Sequence, residues 1–291
     1  MPALDMNASS EREDQLTEVA LRGGALRVAG YACGVLVSLG TATILVRHLG
    51  IAGFGRYVTI TSLIALVGGV TEAGIVVYGI REFVARREPA RGTLIGDLLT
   101  LRLTLAAGGV ACAVCFGLAV GYREALVLGT LIAGVGLLMQ VVSDVLSIAL
   151  QARLFLGRLT LVELSRRLLV LILVAALALG GAGLVPLITA STIGAASAVA
   201  LMVWSVRPLI RIRVHLDIQA WRELFTDTLP YAVALSIGTI YFYVTVIIMS
   251  LAASSRQTGL FATSFRVTQV VLAIPSILLT AIFPLLSRVQ M

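Results

Sequence analysis

Four charged side chains stand where charge is costly or where it marks the edge of an apolar region: Glu72, Arg266, Arg47 and Arg56. Glu72 interrupts an apolar run from Tyr57 to Ile80 that is long enough to cross a bilayer, which takes roughly 20 apolar residues as a helix. An ionisable group inside such a run costs several kcal/mol on most scales, so it faces a partner or a watery cavity. Two roles fit it: binding a proton or cation that drives exchange, or a structural carboxylate held by a threonine or by an arginine such as Arg81. Arg266 lies seven residues past Gly259, roughly 10 Å into the last apolar run at the rise of a helix. A guanidinium at that depth suits bidentate binding of phosphate, and the plainer alternative is snorkelling to the headgroups. Arg47 and Arg56 close a short polar turn, where they anchor the interface or steer an anionic headgroup. Gln140 and Asp144, one turn apart, read as a hydrogen bond between packed helices.

No catalytic constellation and no metal site is expected. His48 and His215 stand apart from any ligand partner. Cys112 and Cys115 spell C-x-x-C, but in an apolar run, whereas a redox or zinc pair needs polar or electropositive surroundings. Together with Cys33 they read as small packing residues. No cofactor is called for, and the chain is not expected to be an enzyme. A membrane-embedded glycosyltransferase would need an acidic site such as D-x-D or large outward loops, and the sequence offers neither.

The elements that position these residues follow from composition. With 59% hydrophobic and 13% charged residues and a mean hydropathy of +1.02, the sequence predicts an all-α polytopic membrane protein. Every one of the 22 basic residues is arginine, a compositional bias, and the resulting basic balance argues for inward-facing loops and not for nucleic acid. Residues 1–25 read as a cytoplasmic tail, with no cleavable signal peptide before the first span. About eight spans can be placed: Val28 to Val46, Tyr57 to Ile80, Leu103 to Val120, Ala125 to Leu150, two from the uncharged stretch Leu168 to Val206, Leu229 to Ala252 and Gly259 to Leu286. Gly180, Gly181, Gly183 and Pro186 divide the long stretch. With the N-terminus inside, 17 arginines fall on inward segments and four (Arg47, Arg56, Arg123, Arg256) on outward turns, which fixes the orientation. Residues 207–226 form a basic, amphipathic segment flanked by Trp204 and Trp221, expected to lie on anionic lipid. Gly30 with Gly34, and Gly117 with Gly121, give spacing for close helix contact.

Shifting the chain by 204 positions superposes Gly34 on Gly238, Thr41 on Thr245, and Gly55-x-Tyr57-x-Thr59 on Gly259-x-Phe261-x-Thr263. A six-helix unit returns the chain to the same side, so the two copies would be parallel. Residues 26–206 are then one six-helix lobe, 207–226 a linker, and 227–291 the first two helices of a second lobe. About four or more further helices are expected to complete it, and an inactive fragment is one alternative reading of a chain without them.

The order of motifs also carries a resemblance. The first span ends in R-x-L-G, G-x-G-x-Y follows, the second span holds an acid before glycine (Glu72-Ala73-Gly74), and Arg81-Glu82 closes it. This resembles the bacterial polysaccharide-export flippases (Wzx type) of the multidrug/oligosaccharidyl-lipid/polysaccharide exporter superfamily. Arg266, Pro275 and Phe283-Pro284 resemble the arginine and prolines of the eighth helix in lipid II flippases, with the first proline farther from the arginine. The resemblance implies two lobes around a central cavity, in the bacterial cytoplasmic membrane. It implies flipping of a polyprenyl-diphosphate-linked oligosaccharide by alternating access, with proton or sodium coupling and with polysaccharide-assembly proteins as partners. Arg266 would bind the diphosphate. A multidrug cation exporter of the same superfamily is the alternative, and its cavity should favour acids and aromatics over arginine.

Overall fold

The computed structural model describes residues 3–72, 74–210, 218–265 and 268. They form α1 (Ala3–Glu72), α2 (Ile75–Ala85), α3 (Ala90–Ala119), α4 (Glu124–Ala152), α5 (Leu156–Leu179), α6 (Leu184–Val206) and α7 (Ile218–Ala252), with residues 255–265 again helical. No strand occurs among the described residues. The chain is an all-α polytopic membrane protein. Stretches Ala32–Ala85, Ala90–Ala119, Glu124–Ala152 and Leu184–Val206 are long and apolar enough to span a bilayer. At 24 residues α5 has the length as well, but Glu163, Arg166 and Arg167 lie in its first half.

Two of the expected boundaries are redrawn. The polar turn Arg47 to Arg56 is not a loop: helix continues through it except at Gly50, whose φ of 67° and ψ of 172° make a corner one residue wide. Arg56 therefore sits on a helix, not in a turn. The second span does not run whole to Ile80. It stops at Glu72, turns through Gly74 (φ 82°), and resumes as α2. Both glycines hold backbone conformations that a Cβ would strain.

Three helices also begin well before their apolar runs. α3 starts at Ala90, α5 at Leu156 and α7 at Ile218, so parts of the expected inner loops are helix. No break separates the end of the expected linker from α7. Trp221, expected at the lipid interface, donates its Nε1–H to Thr100 Oγ1 (3.2 Å) and packs on the core. The apolar stretch Leu168 to Val206 divides where its glycines predict, between α5 and α6.

Lipid tails are as apolar as leucine, so these helices associate through close packing and polar contacts, not through the hydrophobic effect. Small residues permit it. Gly30 and Gly34 of α1 face Thr160 and Arg167 of α5, and Arg167 Nη1 donates to the Gly34 carbonyl (2.9 Å) and to Ser38 Oγ (3.1 Å). Of Gly117 and Gly121, the first faces Tyr122 and Val127 at the start of α4, whereas Gly121, with φ 77°, serves the turn after α3. An inner core of Phe83, Leu94, Ile95, Leu98, Leu146 and Ile148 joins α2, α3 and α4. His48 Nε2 bonds the Ala182 carbonyl at 2.7 Å, tying α1 to the α5–α6 turn. Cys33, Cys112 and Cys115 are free and exposed on the bundle surface, so they are not the packing residues expected.

Candidate functional site

The strongest charged cluster is built around a residue that reads, in the sequence, as an ordinary inner-end arginine. Arg102 stands twelve residues into α3, about 18 Å along it. Its side chain is only 2% exposed. Nη2 meets Asp144 Oδ2 of α4 at 3.0 Å and Glu72 Oε2 of α1 at 3.7 Å. Gln140 Nε2 donates to the other Asp144 oxygen at 2.7 Å, the hydrogen bond the i, i+4 spacing suggests. It lies within α4, however, and the contact between helices runs through Arg102. Arg81, the base expected for Glu72, is exposed, and the nearby Glu82 pairs with Arg86 (3.2 Å).

The two carboxylates are unequal. Asp144 is 27% exposed and doubly bonded, whereas Glu72 is 51% exposed, more distant, and the last residue before the break at Gly74. The guanidinium thus ties the C-terminal end of α1 to α3 and α4 through one tight and one loose contact. Arg102 Nε and Nη1 are buried and have no hydrogen-bond partner among the described residues, so two donors of the guanidinium are unspent.

A second region lies where α1 meets α7 and residues 255–265. A cleft of about 210 Å³ is lined by Thr61, Ser62, Tyr243, Phe242 and Phe265, and no carboxylate lines it among the described residues. Phe242 packs on Phe265 (centroids 5.7 Å), which stacks with Phe261 (5.4 Å). Just outward, two backbones touch. A Cβ on Gly55 would overlap the Ser255 carbonyl oxygen, and one on Gly259 would overlap that of Ile51. Ser255 and Gly259 are the positions that the shift of 204 assigns to Ile51 and Gly55, so the contact is reciprocal.

Beyond it, a cavity of about 340 Å³ holds Arg56 with Arg123, beside Tyr122, Ser250 and Ser255. Tyr122 Oη and Ser250 Oγ are 2.7 Å apart, and Ser250 Oγ donates to the Ile247 carbonyl. Neither Arg56 nor Arg123 has an acidic partner among the described residues. Arg47 lies elsewhere, exposed, at a smaller apolar hollow with Leu39, Phe54 and Thr263. Arg47 and Arg56, paired in the sequence reading, do not share a site. Arg123 is the residue that reading missed as a companion of Arg56; its position on the next outward turn was the signal. Arg266, Pro275, Pro284 and His215 lie outside the described residues.

This helical arrangement is that of transporters of the multidrug/oligosaccharidyl-lipid/polysaccharide (MOP) superfamily. It matches a structure of the MATE multidrug transporter DinF-BH at a TM-score of 0.71 and 14% identity, over 92% of this chain and 64% of that one. It matches a MOP-superfamily transporter from Pyrococcus furiosus Vc1, described as having a binding pocket of reverse polarity, at 0.60 and 15%, over 86% and 60%. An outward-facing MATE transporter of the MOP superfamily gives 0.60 and 16%, over 90% and 62%. The chain therefore spans somewhat under two thirds of the length of these solved relatives. A comparison with curated proteins finds no match. The family model described as polysaccharide biosynthesis protein matches residues 20–290. The chain belongs to that family.

Proposed function

We propose that the protein is a transporter that flips a polyprenyl-diphosphate-linked oligosaccharide across the bacterial cytoplasmic membrane, with its N-terminus inside. One observation carries the reading. The cavity where the α3–α4 turn meets α1, α7 and residues 255–265 gathers two guanidinium groups, Arg56 and Arg123, with no acidic partner and no lining carboxylate among the described residues. Such a cavity attracts a diphosphate and repels a cation. Arg266, one residue past the cleft-lining Phe265, is assigned to the same anionic group deeper in the membrane. In this reading residues 26–206 and 227–291 belong to two parallel lobes, and the reciprocal contact of Gly55 and Gly259 supports that relation.

The test is flipping of a fluorescent polyprenyl-diphosphate oligosaccharide in proteoliposomes, using the full native gene product. Arg56→Gln with Arg123→Gln is expected to raise the half-saturating substrate concentration roughly tenfold or more, as two charge-assisted contacts are lost. Arg266→Gln should depress the rate further. An unchanged substrate dependence in both variants would overturn the assignment.

Coupling is assigned to Glu72. The carboxylate is the loose partner of Arg102 and stands at the break between α1 and α2, so neutralising it frees α1 from α3 while Asp144 keeps the arginine in place. Glu72→Gln is expected to leave thermal stability within about 1 kcal/mol, as for other exposed pairs. The same change should abolish the response of flipping to an imposed proton or sodium gradient; a full response would assign the coupling elsewhere.

A multidrug cation exporter is the second reading, favoured by the rings of Phe242, Tyr243 and Phe265 that line the cleft. Aromatic faces attract cations. A fluorescent cation transported at the same rate by wild type and by the Arg56→Gln, Arg123→Gln variant would favour it.

A further inference from the structure

Between α5 and α6, at the ends remote from the turn that joins them, lies an open cavity of about 880 Å³. Its floor is apolar, with Leu161 and Leu201 on its sides. Arg158 of α5 and Arg207 just after α6 stand at its rim beside Ser165 and the indole of Trp204. It is larger than the cleft described above and takes no part in it. That cleft is made by α1, α7 and residues 255–265, whereas this cavity opens between α5 and α6.

We propose that this cavity is a binding site for an anionic glycerophospholipid of the inner leaflet. Four features select the occupant. First, neither guanidinium has an acidic partner among the described residues, so two charges converge on the rim uncompensated. Second, Arg158 is held in place by stacking of its guanidinium over the Phe155 ring at 5.0 Å, which reduces the entropy lost when it captures a phosphate.

Third, the walls below the rim are bare. Leu161 is 64% exposed and Leu201 38%, an apolar surface continuous with the lipid phase into which acyl chains fit. Fourth, Trp204 is 76% exposed at the end of its helix, where an indole sits at headgroup level with its N–H toward the polar layer. The Ser165 hydroxyl, which has no partner among the described residues, adds a donor for a phosphate or glycerol oxygen. Ser205 does not, because its hydroxyl already donates to the Leu201 carbonyl at 2.8 Å. Basic pockets between spanning helices on the cytoplasmic side are the setting in which anionic headgroups are held. A bulk surface charge would attract lipid anywhere along residues 207–226; this cavity adds one held guanidinium, Arg158, a second at Arg207, and a chain groove at one place.

Trp204 is also the reporter. In a Trp221→Phe background it is the sole tryptophan of the sequence. The protein is reconstituted in phosphatidylcholine vesicles containing a small fraction of either brominated phosphatidylglycerol or brominated phosphatidylcholine. Quenching of Trp204 is expected at a roughly tenfold lower mole fraction of the brominated anionic lipid. Arg158→Gln with Arg207→Gln should bring the two lipids to parity, and Arg158→Lys with Arg207→Lys should retain much of the preference. Millimolar inorganic phosphate should leave the quenching unchanged. Equal quenching by both lipids in the parent, or a preference that survives the double glutamine variant, would overturn the proposal. Loss of preference on adding phosphate would overturn it too, by making the site one for a free anion. Both arginines are at the surface, and the double lysine variant separates loss of the site from loss of the fold.

Discussion

Replacing Arg102 by leucine is expected to destabilise the protein by about 3–5 kcal/mol, the cost of removing one partner from a buried charge pair. The side chain is almost wholly enclosed, and its removal strands Asp144, held otherwise only by Gln140. Glu72, half exposed, finds other solvation and contributes little to the loss. The effect should appear as a lowered midpoint in detergent-denaturant titration of the purified protein. Two further variants separate charge from packing. Arg102→Lys should recover only part, because one ammonium cannot reproduce the planar fork. Arg102→Leu combined with Asp144→Asn should recover more than half, because no buried charge is then left alone. If the double variant were no better than the single one, the cluster would owe its stability to the shape of the arginine stem and not to its charge.

The second large effect is expected at the reciprocal glycine contact. Leucine at Gly55 or at Gly259 places a side chain on a carbonyl oxygen of the opposite segment, and a backbone atom cannot yield as a flexible side chain does. The two outer segments must then stand apart. Flipping in proteoliposomes should fall more than about tenfold, since a cycle that needs this closure cannot complete it. Expression and thermal midpoint should change far less, because the remaining α1–α7 contacts persist. Alanine should act in the same direction and less strongly. Equal loss of stability and of flipping would make the contact a matter of folding only.

Much of the architecture is legible in the sequence because the turns carry their own marks. The α3–α4 and α5–α6 hairpins fall where glycines interrupt apolar runs, and the arginine bias gives the orientation expected of them. What is not legible is how far a helix continues beyond its apolar run. Arg102 lies just outside the apolar stretch beginning at Leu103, where an inner-end arginine ordinarily reaches for water. The structure extends α3 back to Ala90, and that polar segment packs on α2 and α4, so the arginine turns inward. Asp144 held the available clue: an acid at that depth in α4 requires a base at equal depth on a neighbour. Glu72 was legible as a costly charge, but its partner was not, because the choice between Arg81 and Arg102 depends on the break at Gly74. Arg56 and Arg123 are 67 positions apart in the chain, and only the packing of α1 and the α3–α4 turn beside α7 brings them to one cavity.

The single helix α7 has a mechanical consequence. Its 35 residues run about 52 Å, well beyond the thickness of a hydrocarbon core. Besides its packing on α1, it is tied to the first bundle near both extremities by side-chain hydrogen bonds, Trp221 to Thr100 at one end and Ser250 to Tyr122 at the other. These act as two latches on one lever. Releasing the outer latch while the inner holds lets the outer end swing about a pivot roughly 43 Å away, so a tilt of about 7° opens a gap of about 5 Å. Releasing the inner latch instead exchanges pivot and free end. In the proposed transport cycle a helix so mounted would need no hinge of its own, and the order in which its two ends yield would set which end of the bundle opens.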